Sequence, residues 1–541
     1  MRLKPAALVA LSSLQLLWAA APKPVVINAV VDQYRPMPYE SENLIGLFAA
    51  RMRANTEGFL EQTGEKVTVE TAPKYLEIAS SAYEYRGDSN LKTLLDHAAA
   101  VLFSAPQASR APSWLPGLLA YYRITGQGQA LNLSGQIANS AISKGTANTD
   151  PSLVGPLTVL FRYTNESRYL AAAKAIADAA LKAGKPSDAP ADESALIQKL
   201  RLSAALVDLC RVTGDENYLQ AAAAFWRTVV SRTLTLTGAI RTGSDSNTPA
   251  SACATVAWMQ LNLQLLEITG VPYYGSELEK TIYNQLFASQ DPRTGLTCPS
   301  VSLNGTKVWS SAPSACDWEI ARGISLIPSV TWGRYGNGVA VNLYTGGRAT
   351  VRLHRRGNIQ LYSEASFPET GQVLLHIEPD HNLQFPLRLR VPDWTSKFVA
   401  ECGGSRLFGK PGQYLTISRE WKKGDTVKLD IDLTAEFISG STPNGQGLAI
   451  KRGPQVLALG VTLNPSVKDL GQAGLIPSGV APALKSSERM FPSTWMADQA
   501  YFVDGEYNKE PARLTLVPFA DAITYRVFLN RSERASSAAL H

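Results

Sequence analysis

Hydrophobic residues recur at helical spacing through the first half of the chain, and successive helical stretches end in one short phrase. An apolar helix end is followed by Thr-Gly or a close relative, and a second helix is expected about three residues later. Glycine, or asparagine as the next best residue, adopts the left-handed conformation that ends a helix and reverses the chain. The pattern predicts helical hairpins with five turns: Tyr85–Asp88, Arg123–Gly126, Arg162–Asn165, Arg211–Gly214 and Glu267–Gly270.

The spacing of these turns predicts stacked helix pairs. Successive turn residues are 39, 39, 49 and 56 positions apart, which fits two helices per unit with connections that lengthen along the chain. The repeats alone leave two architectures open. One is an open solenoid that serves as a platform for a protein partner, and the other is a closed (α/α) barrel.

The pattern changes to alternation of apolar and polar residues after position 338. Alternating runs broken by Gly, Pro and Asp predict antiparallel strands of a β-sandwich, and they occur at 339–344, 360–362, 372–377, 387–391, 414–417 and 427–432. A β-sandwich that follows the helical hairpins favours the closed barrel. The predicted fold is a multidomain α+β chain in three parts: an (α/α) barrel over 22–335, a β-sandwich over 336–460, and a long loop with C-terminal strands over 461–541.

The N-terminus has the layout of a secretory signal peptide. Arg2 and Lys4 precede an apolar run over 6–18 that ends in three alanines. The run is too short to span a bilayer permanently, and the chain contains no second transmembrane candidate. We therefore expect residues 1–21 to be a signal peptide and the mature protein to be exported, to the periplasm or the extracellular space.

Composition narrows the classes of partner. The chain has 541 residues, 45% of them hydrophobic and 18% charged, with a formal net charge of +6 and no dense Lys/Arg run. These values argue against a nucleic-acid partner and an anionic membrane surface, and they do not indicate an oligomeric state. The five cysteines are odd in number and widely spaced, so at least one thiol is free or buried.

Segments spread over nearly the whole mature chain carry a family resemblance. They lie at 40–58, 253–262, 278–284, 291–295, 322–328, 387–394, 421–427, 451–454 and 516–521. In order and spacing they resemble the zinc-dependent β-L-arabinofuranosidases, glycoside hydrolase family 127, formerly a domain of unknown function (DUF1680). The resemblance implies an (α/α) barrel followed by β-sandwich modules and a role in carbohydrate metabolism.

The resemblance also implies a catalytic site. In the family, a Glu-x-Cys element and a Cys-Cys pair bind zinc, one paired cysteine is the nucleophile, and an upstream Glu is the acid/base. Zinc keeps the attacking sulfur deprotonated while a carboxylic acid protonates the departing oxygen. In this chain the two elements read Ser251-Ala252-Cys253 and Ala315-Cys316. A hydroxyl therefore replaces one ligand, and alanine replaces the nucleophile.

Other family positions are altered as well. The loop over 239–250 should carry the acid/base Glu, but its one carboxylate is Asp245, a weak candidate acid. Thr71 and Ala111 stand where the family has sugar-binding histidines, and Gly155 stands where it has Glu. His97 is the one histidine in the presumed barrel, and we interpret it as structural.

Cys253 and Cys316 are the remaining candidate metal ligands. Two thiols hold zinc poorly, because stable sites need four donors or three plus water. Asp317 and Glu319 would bring the number of zinc ligands to four, in an arrangement that the family does not use. We expect no zinc cofactor. Residues at positions that bind one metal ion should be adjacent, so the resemblance implies that the two cysteines lie within about 7 Å between Cα atoms and are able to form a disulfide in an oxidising compartment.

Three hypotheses for function follow. The first is an exported carbohydrate-binding or scaffold protein on a glycosidase-like fold that lacks the family's catalysis. In this hypothesis Trp114, Trp258 and Trp318 are candidate sugar-binding residues that line an open pocket. The second is an active glycoside hydrolase, described next, and the third is the helical platform for a protein partner.

The second hypothesis requires relocated carboxylates. Asp317 and Glu319, with Asp245, would form the carboxylate pair that glycosidases commonly use. The competing interpretation is that Asp317 and Glu319 cap or solvate the helix leading to Arg322. Carboxyl groups about 5 to 10 Å apart across a cleft would favour catalysis.

Overall fold

The computed structural model describes most of the chain. The described residues are 22–37, 41–145, 150–184, 190, 192–241, 248–353, 356–443, 445–477, 482, 484–486 and 499–533. The predicted signal peptide and Asp245 lie outside them.

Helices dominate the first 331 residues. The α-helices are α1 (Leu47–Arg53), α2 (Glu61–Gly64), α3 (Ala72–Arg86), α4 (Ser89–Ser104), α5 (Leu115–Thr125), α6 (Gly128–Ile142), α7 (Val154–Thr164), α8 (Ser167–Ala183), α9 (Glu193–Thr213), α10 (Glu216–Arg232), α11 (Ala252–Thr269), α12 (Pro272–Thr281), α13 (Ala315–Ser325) and α14 (Ile327–Thr331). A π-helical segment, Ala54–Leu60, joins α1 to α2, and a second one, Ile282–Leu286, extends α12.

Six helices close into a ring. In order, α3, α5, α7, α9, α11 and α13 each pack against the next, and α13 packs back on α3. The intervening helices α4, α6, α8, α10 and α12 form an outer layer, together with α1 and α2. Because inner and outer helices alternate in direction, all six inner helices begin at the same end of the barrel, which we call the mouth. The closed (α/α) barrel is thus confirmed.

All five predicted turns are present. Gly87, Gly126, Asn165, Gly214 and Gly270 follow α3, α5, α7, α9 and α11, and each has a left-handed backbone with φ between 57° and 75°. The amide of each donates to the carbonyl four residues earlier, which ends the helix. The outer helix begins two residues further on in every case.

Strands follow from Trp332 onward and are joined by a few earlier ones. They are β1 (Tyr34–Pro36), β2 (Glu42–Leu44), β3 (Ala250–Ser251), β4 (Ser300–Val301), β5 (Asn304–Thr306), β6 (Trp332–Tyr335), β7 (Gly338–Val341), β8 (Gly347–Leu353), β9 (Gly357–Ala365), β10 (Gln372–Pro379), β11 (Leu383–Arg390), β12 (Phe398–Cys402), β13 (Ser405–Phe408), β14 (Tyr414–Trp421), β15 (Asp425–Ile431), β16 (Ala435–Thr442), β17 (Gly445–Arg452), β18 (Gln455–Gly460), β19 (Ala473–Leu475), β20 (Lys485–Ser486), β21 (Tyr501–Tyr507), β22 (Glu510–Pro518), β23 (Thr524–Arg526) and β24 (Leu529–Arg531).

Two sheets share one apolar core and form the predicted sandwich. Their strand orders are β1-β6-β7-β11-β14 and β13-β12-β15-β10-β9-β8-β2, antiparallel except for the parallel pair β7 and β11. Each alternating run read from the sequence overlaps a strand of these sheets. Side chains such as Trp332, Leu387 and Val427 fill the space between them.

A third sheet contains the C-terminal strands. Its order is β16-β17-β24-β19-β21-β22-β18-β23-β5, with β20 beside β21. Strand pairing crosses the predicted domain limits. β1 and β2 join the sandwich sheets, whereas β17 and β18 pair with C-terminal strands and β16 pairs with β17. Within the described residues, no helix is both long and apolar enough to cross a membrane.

Candidate functional site

The substituted family positions gather at the barrel mouth. Thr71 is the N-cap of α3, Ala111 immediately precedes the 3₁₀ turn that leads into α5, and Gly155 is the second residue of α7. Ser251 is the N-cap of α11, and Ala315 is the first residue of α13. These five residues carry no imidazole, carboxylate or thiol, so the rim of the mouth lacks those groups at the positions where the resemblance places them. His97 lies on the outer helix α4 and is exposed.

Cys253 and Cys316 meet at this mouth. Their Cα atoms are 4.9 Å apart and their sulfurs form a disulfide, which links the neighbouring inner helices α11 and α13. The Ser251 hydroxyl accepts a hydrogen bond from the Cys253 amide at 3.1 Å and lies 3.7 Å from the Cys316 sulfur. The remaining cysteines, Cys210, Cys298 and Cys402, are buried free thiols.

This set of residues does not fit zinc. Both sulfurs are used in the disulfide, and a disulfide sulfur is not the thiolate that zinc binds. Among the described residues, no group of three or more His, Cys, Asp or Glu side chains is arranged to hold a metal ion.

Asp317, one of the predicted catalytic carboxylates, caps a helix. One of its oxygens accepts hydrogen bonds from the Ser314 amide at 2.7 Å and the Ser314 hydroxyl at 2.6 Å, and the other accepts from the Thr297 hydroxyl at 2.6 Å. Together with Ser314 it forms a capping box at the start of α13. The carboxylate is fully buried in this cap, which is the competing interpretation given above.

Glu319 is the hub of a charge cluster that we call the central ion network: Lys74, Glu77, Arg201, Glu319 and Arg322. Glu319 pairs with Lys74 at 2.5 Å, Arg201 at 2.9 Å and Arg322 at 3.0 Å. Glu77 pairs with Arg322 at 2.5 Å and with Lys74 at 3.6 Å. Since Glu319 follows Cys316 by three residues on α13, the network lies about one helical turn from the disulfide.

The network holds both carboxyl groups ionised. Burial alone would raise the pKa of Glu319, but Arg322, Lys74 and Arg201 outweigh it and lower that pKa. The pKa of Glu77 is lowered to about 2, where burial is again outweighed by Arg322 and Lys74. A general acid needs a raised pKa. The lowered pKa of Glu319 does not suit a general acid. The catalytic pair of Asp317 and Glu319 stays a prediction.

The three candidate sugar-binding tryptophans lie in the barrel core, not on an open wall. Trp114, Trp258 and Trp318 are 4%, 0% and 7% exposed. Trp258 stacks on Trp226 of the outer helix α10, with ring centroids 5.8 Å apart, and Trp318 contacts Phe59 edge-on at 5.2 Å. Trp258 therefore faces the outer layer of helices, and all three rings are packed within the apolar core.

A separate cleft of about 790 Å³ lies outside the barrel. It is lined by the loop after α10, by β16 and by Phe528, with Arg241 and Lys280 as its cations. None of the substituted family positions lines it.

Many family-like segments hold the barrel against the sheets. Arg51 is buried, pairs with Asp521 at 3.1 Å and donates to the carbonyls of Phe287 and Gln290. Arg390 of β11 pairs with the buried Glu279 of α12 at 2.6 Å. These residues explain why the resemblance extends past the barrel: they build the interface between its parts.

Solved structures of similar fold cover nearly the whole chain. A GH127 β-arabinofuranosidase, BT3674, matches with a TM-score of 0.77 at 19% identity over 93% of this chain and 98% of its own. A structure described as a glycoside hydrolase gives 0.78 at 17% identity over 93% and 98%. The GH127 β-L-arabinofuranosidase Ara127N from Geobacillus stearothermophilus T6 gives 0.69 at 19% identity over 90% and 94%.

Family models identify the chain. No curated protein matches it. The model described as the GH127 catalytic domain of β-L-arabinofuranosidase matches residues 113–321, and the GH127 middle domain matches residues 338–433, together more than half of the chain. The chain therefore belongs to the GH127 β-L-arabinofuranosidase family.

Proposed function

We propose that this chain is an exported carbohydrate-binding protein on a GH127 scaffold, without the zinc- and cysteine-dependent hydrolysis implied for the family. The observation that carries the proposal is the Cys253–Cys316 disulfide. A sulfur in a disulfide is neither a thiolate nucleophile nor a zinc ligand. Ala315 at the family's nucleophile position has no group that attacks an anomeric carbon.

The carboxylates near the mouth support the same proposal. Asp317 is engaged by Ser314 and Thr297 at the start of α13, and Glu319 is surrounded by three cations. The lowered pKa of Glu319 does not suit a group that protonates a leaving oxygen, and the oxygens of Asp317 are engaged in the helix cap. A hydrolase with relocated carboxylates would need other groups.

Carbohydrate as the ligand class is supported by family membership and by the polar centre of the barrel. Arg201 and Lys74 have side chains that are 43% and 28% exposed, so solvent reaches the network. Export is supported by the signal-like residues 1–21 and by the disulfide, because such bonds persist in oxidising compartments.

The experiment measures hydrolysis and binding on one preparation. The full chain is incubated with an aryl β-L-arabinofuranoside and, separately, applied to a panel of immobilised glycans. We expect no hydrolysis above the uncatalysed rate and retention of at least one glycan. Cys316→Ala removes one cysteine of the disulfide at the mouth. Cys402→Ala is the matched control, because Cys402 is a buried cysteine of the β-sandwich.

Turnover that is lost in Cys316→Ala and kept in Cys402→Ala would contradict the proposal. An absence of glycan binding in all three proteins would contradict the carbohydrate ligand and favour the platform for a protein partner.

A further inference from the structure

The central ion network carries an excess of positive charge. It combines three cations, Lys74, Arg201 and Arg322, with two carboxylates, Glu77 and Glu319. Both carboxylates are ionised and already engaged by these cations. The five groups therefore have a formal charge of +1 within the barrel.

The two most exposed members of the network are cations. The side chains of Arg201 and Lys74 are 43% and 28% exposed. Those of Glu77, Arg322 and Glu319 are 22%, 13% and 2% exposed. Among the described residues, Glu319 is the one side chain that accepts from the Arg201 guanidinium, through one nitrogen at 2.9 Å. A guanidinium offers five N–H donors, so most of those of Arg201 remain for a ligand.

The helices add to this potential. All six inner helices begin at the mouth, and helix N-termini carry partial positive charge. Lys74 lies in the first turn of α3, and Glu319 lies in the second turn of α13. A neutral sugar would leave the positive charge of the network uncompensated, whereas an anion would neutralise it.

We propose that the barrel centre binds a saccharide that carries an anionic group, a carboxylate or a sulfate, contacted by Arg201 and Lys74. The proposal rests on the carbohydrate-binding function given above and names the class of sugar. Arg201 suits either anion because its planar N–H groups match the oxygens of both. Lys74 supplies a second, more compact charge.

The test uses matched pairs that differ at the anionic group. Isothermal titration calorimetry of the full chain compares a galacturonic acid trisaccharide with its methyl ester, and a sulfated galactose oligosaccharide with its desulfated counterpart. In at least one pair we expect the charged member to bind about tenfold more tightly, the size of one charge-assisted hydrogen bond. The preferred pair then identifies the anion, and raising the salt concentration should reduce the preference.

Arg201→Gln should reduce the preference for the charged over the neutral member to less than threefold. Arg168→Gln on the outer helix α8, where the side chain is 55% exposed, is the matched control and should retain the full preference. The salt dependence of the unmodified protein tests the charge without any substitution.

The outcomes separate this inference from the proposed function. Equal binding of both members in both pairs would overturn the inference and leave carbohydrate binding standing. Binding of none of the four saccharides would also overturn the inference, while the glycan panel described above decides carbohydrate binding itself.

Discussion

Removal of the Cys253–Cys316 disulfide should destabilise the barrel by a calculable amount. The two cysteines are 63 positions apart and join α11 to α13. A cross-link of that length restricts the unfolded chain by an entropy worth about 4 kcal/mol at 25 °C. We expect the Cys253→Ala/Cys316→Ala double variant to lose about that much free energy of unfolding.

The assay is urea unfolding followed by the circular dichroism of the helices at 222 nm. Cys210→Ala is the matched control, because Cys210 is also buried on an inner helix but is unpaired, and its loss should cost only about 1 kcal/mol. A reductant should lower the free energy of unfolding of the parent to that of the double variant and leave the variant unchanged.

Two results would refute this reasoning. One is a double variant that loses no more stability than Cys210→Ala. The other is a parent whose unfolding does not respond to a reductant that is shown by thiol titration to have acted.

Three further outcomes concern buried charges. Glu319→Gln should lower the free energy of unfolding in urea by about 3 to 5 kcal/mol, because three cations lose their buried partner. The control, Glu216→Gln on the exposed face of α10, should change it by no more than about 0.5 kcal/mol. An equally small loss for Glu319→Gln would contradict the network. The folded-state pKa of Glu77, about 2, lies below its usual value of 4.5. The contribution of Glu77 to stability is therefore present above about pH 4.5 and is lost as the pH falls toward 2. The free energy of unfolding of the parent should exceed that of Glu77→Gln by about 2 kcal/mol less at pH 3 than at pH 6, and a constant difference would count against the pairing. Arg51→Gln removes the ion pair to the partly buried Asp521 and should cost about 3 to 5 kcal/mol of unfolding free energy. Limited proteolysis between the barrel and the C-terminal sheet should become faster, and an unchanged digestion pattern would argue against the interface role.

Local patterns were enough to predict the fold. A glycine or asparagine at the end of a helix has the same consequence wherever the helix lies, so Gly87, Gly126, Asn165, Gly214 and Gly270 were identifiable one at a time. The alternation after position 338 likewise reports one buried face per strand. The strands β1 and β2 could not be assigned in this way because their pairing partners lie some 300 residues further along the chain.

The site could not be predicted from local sequence patterns, because it is built by contacts between residues that are far apart in the chain. Asp317 and Glu319 are two residues apart, yet the first caps α13 and the second meets cations from α3 and α9. Sequence reasoning missed Lys74, Glu77 and Arg201. The available signal was a charged residue between apolar neighbours on a repeat helix, as in Leu200-Arg201-Leu202, but it does not say which residue lies across the barrel.

The chemical state of Cys253 and Cys316 separates a site without zinc from a zinc-dependent enzyme most directly. Thiol titration under denaturing conditions and zinc analysis are made on one sample, prepared from an oxidising compartment without added chelator. We expect three free thiols before reduction, those of Cys210, Cys298 and Cys402, five after reduction, and far less than one zinc per chain. Five free thiols before reduction, together with one zinc per chain, would contradict the absence of the family's metal site.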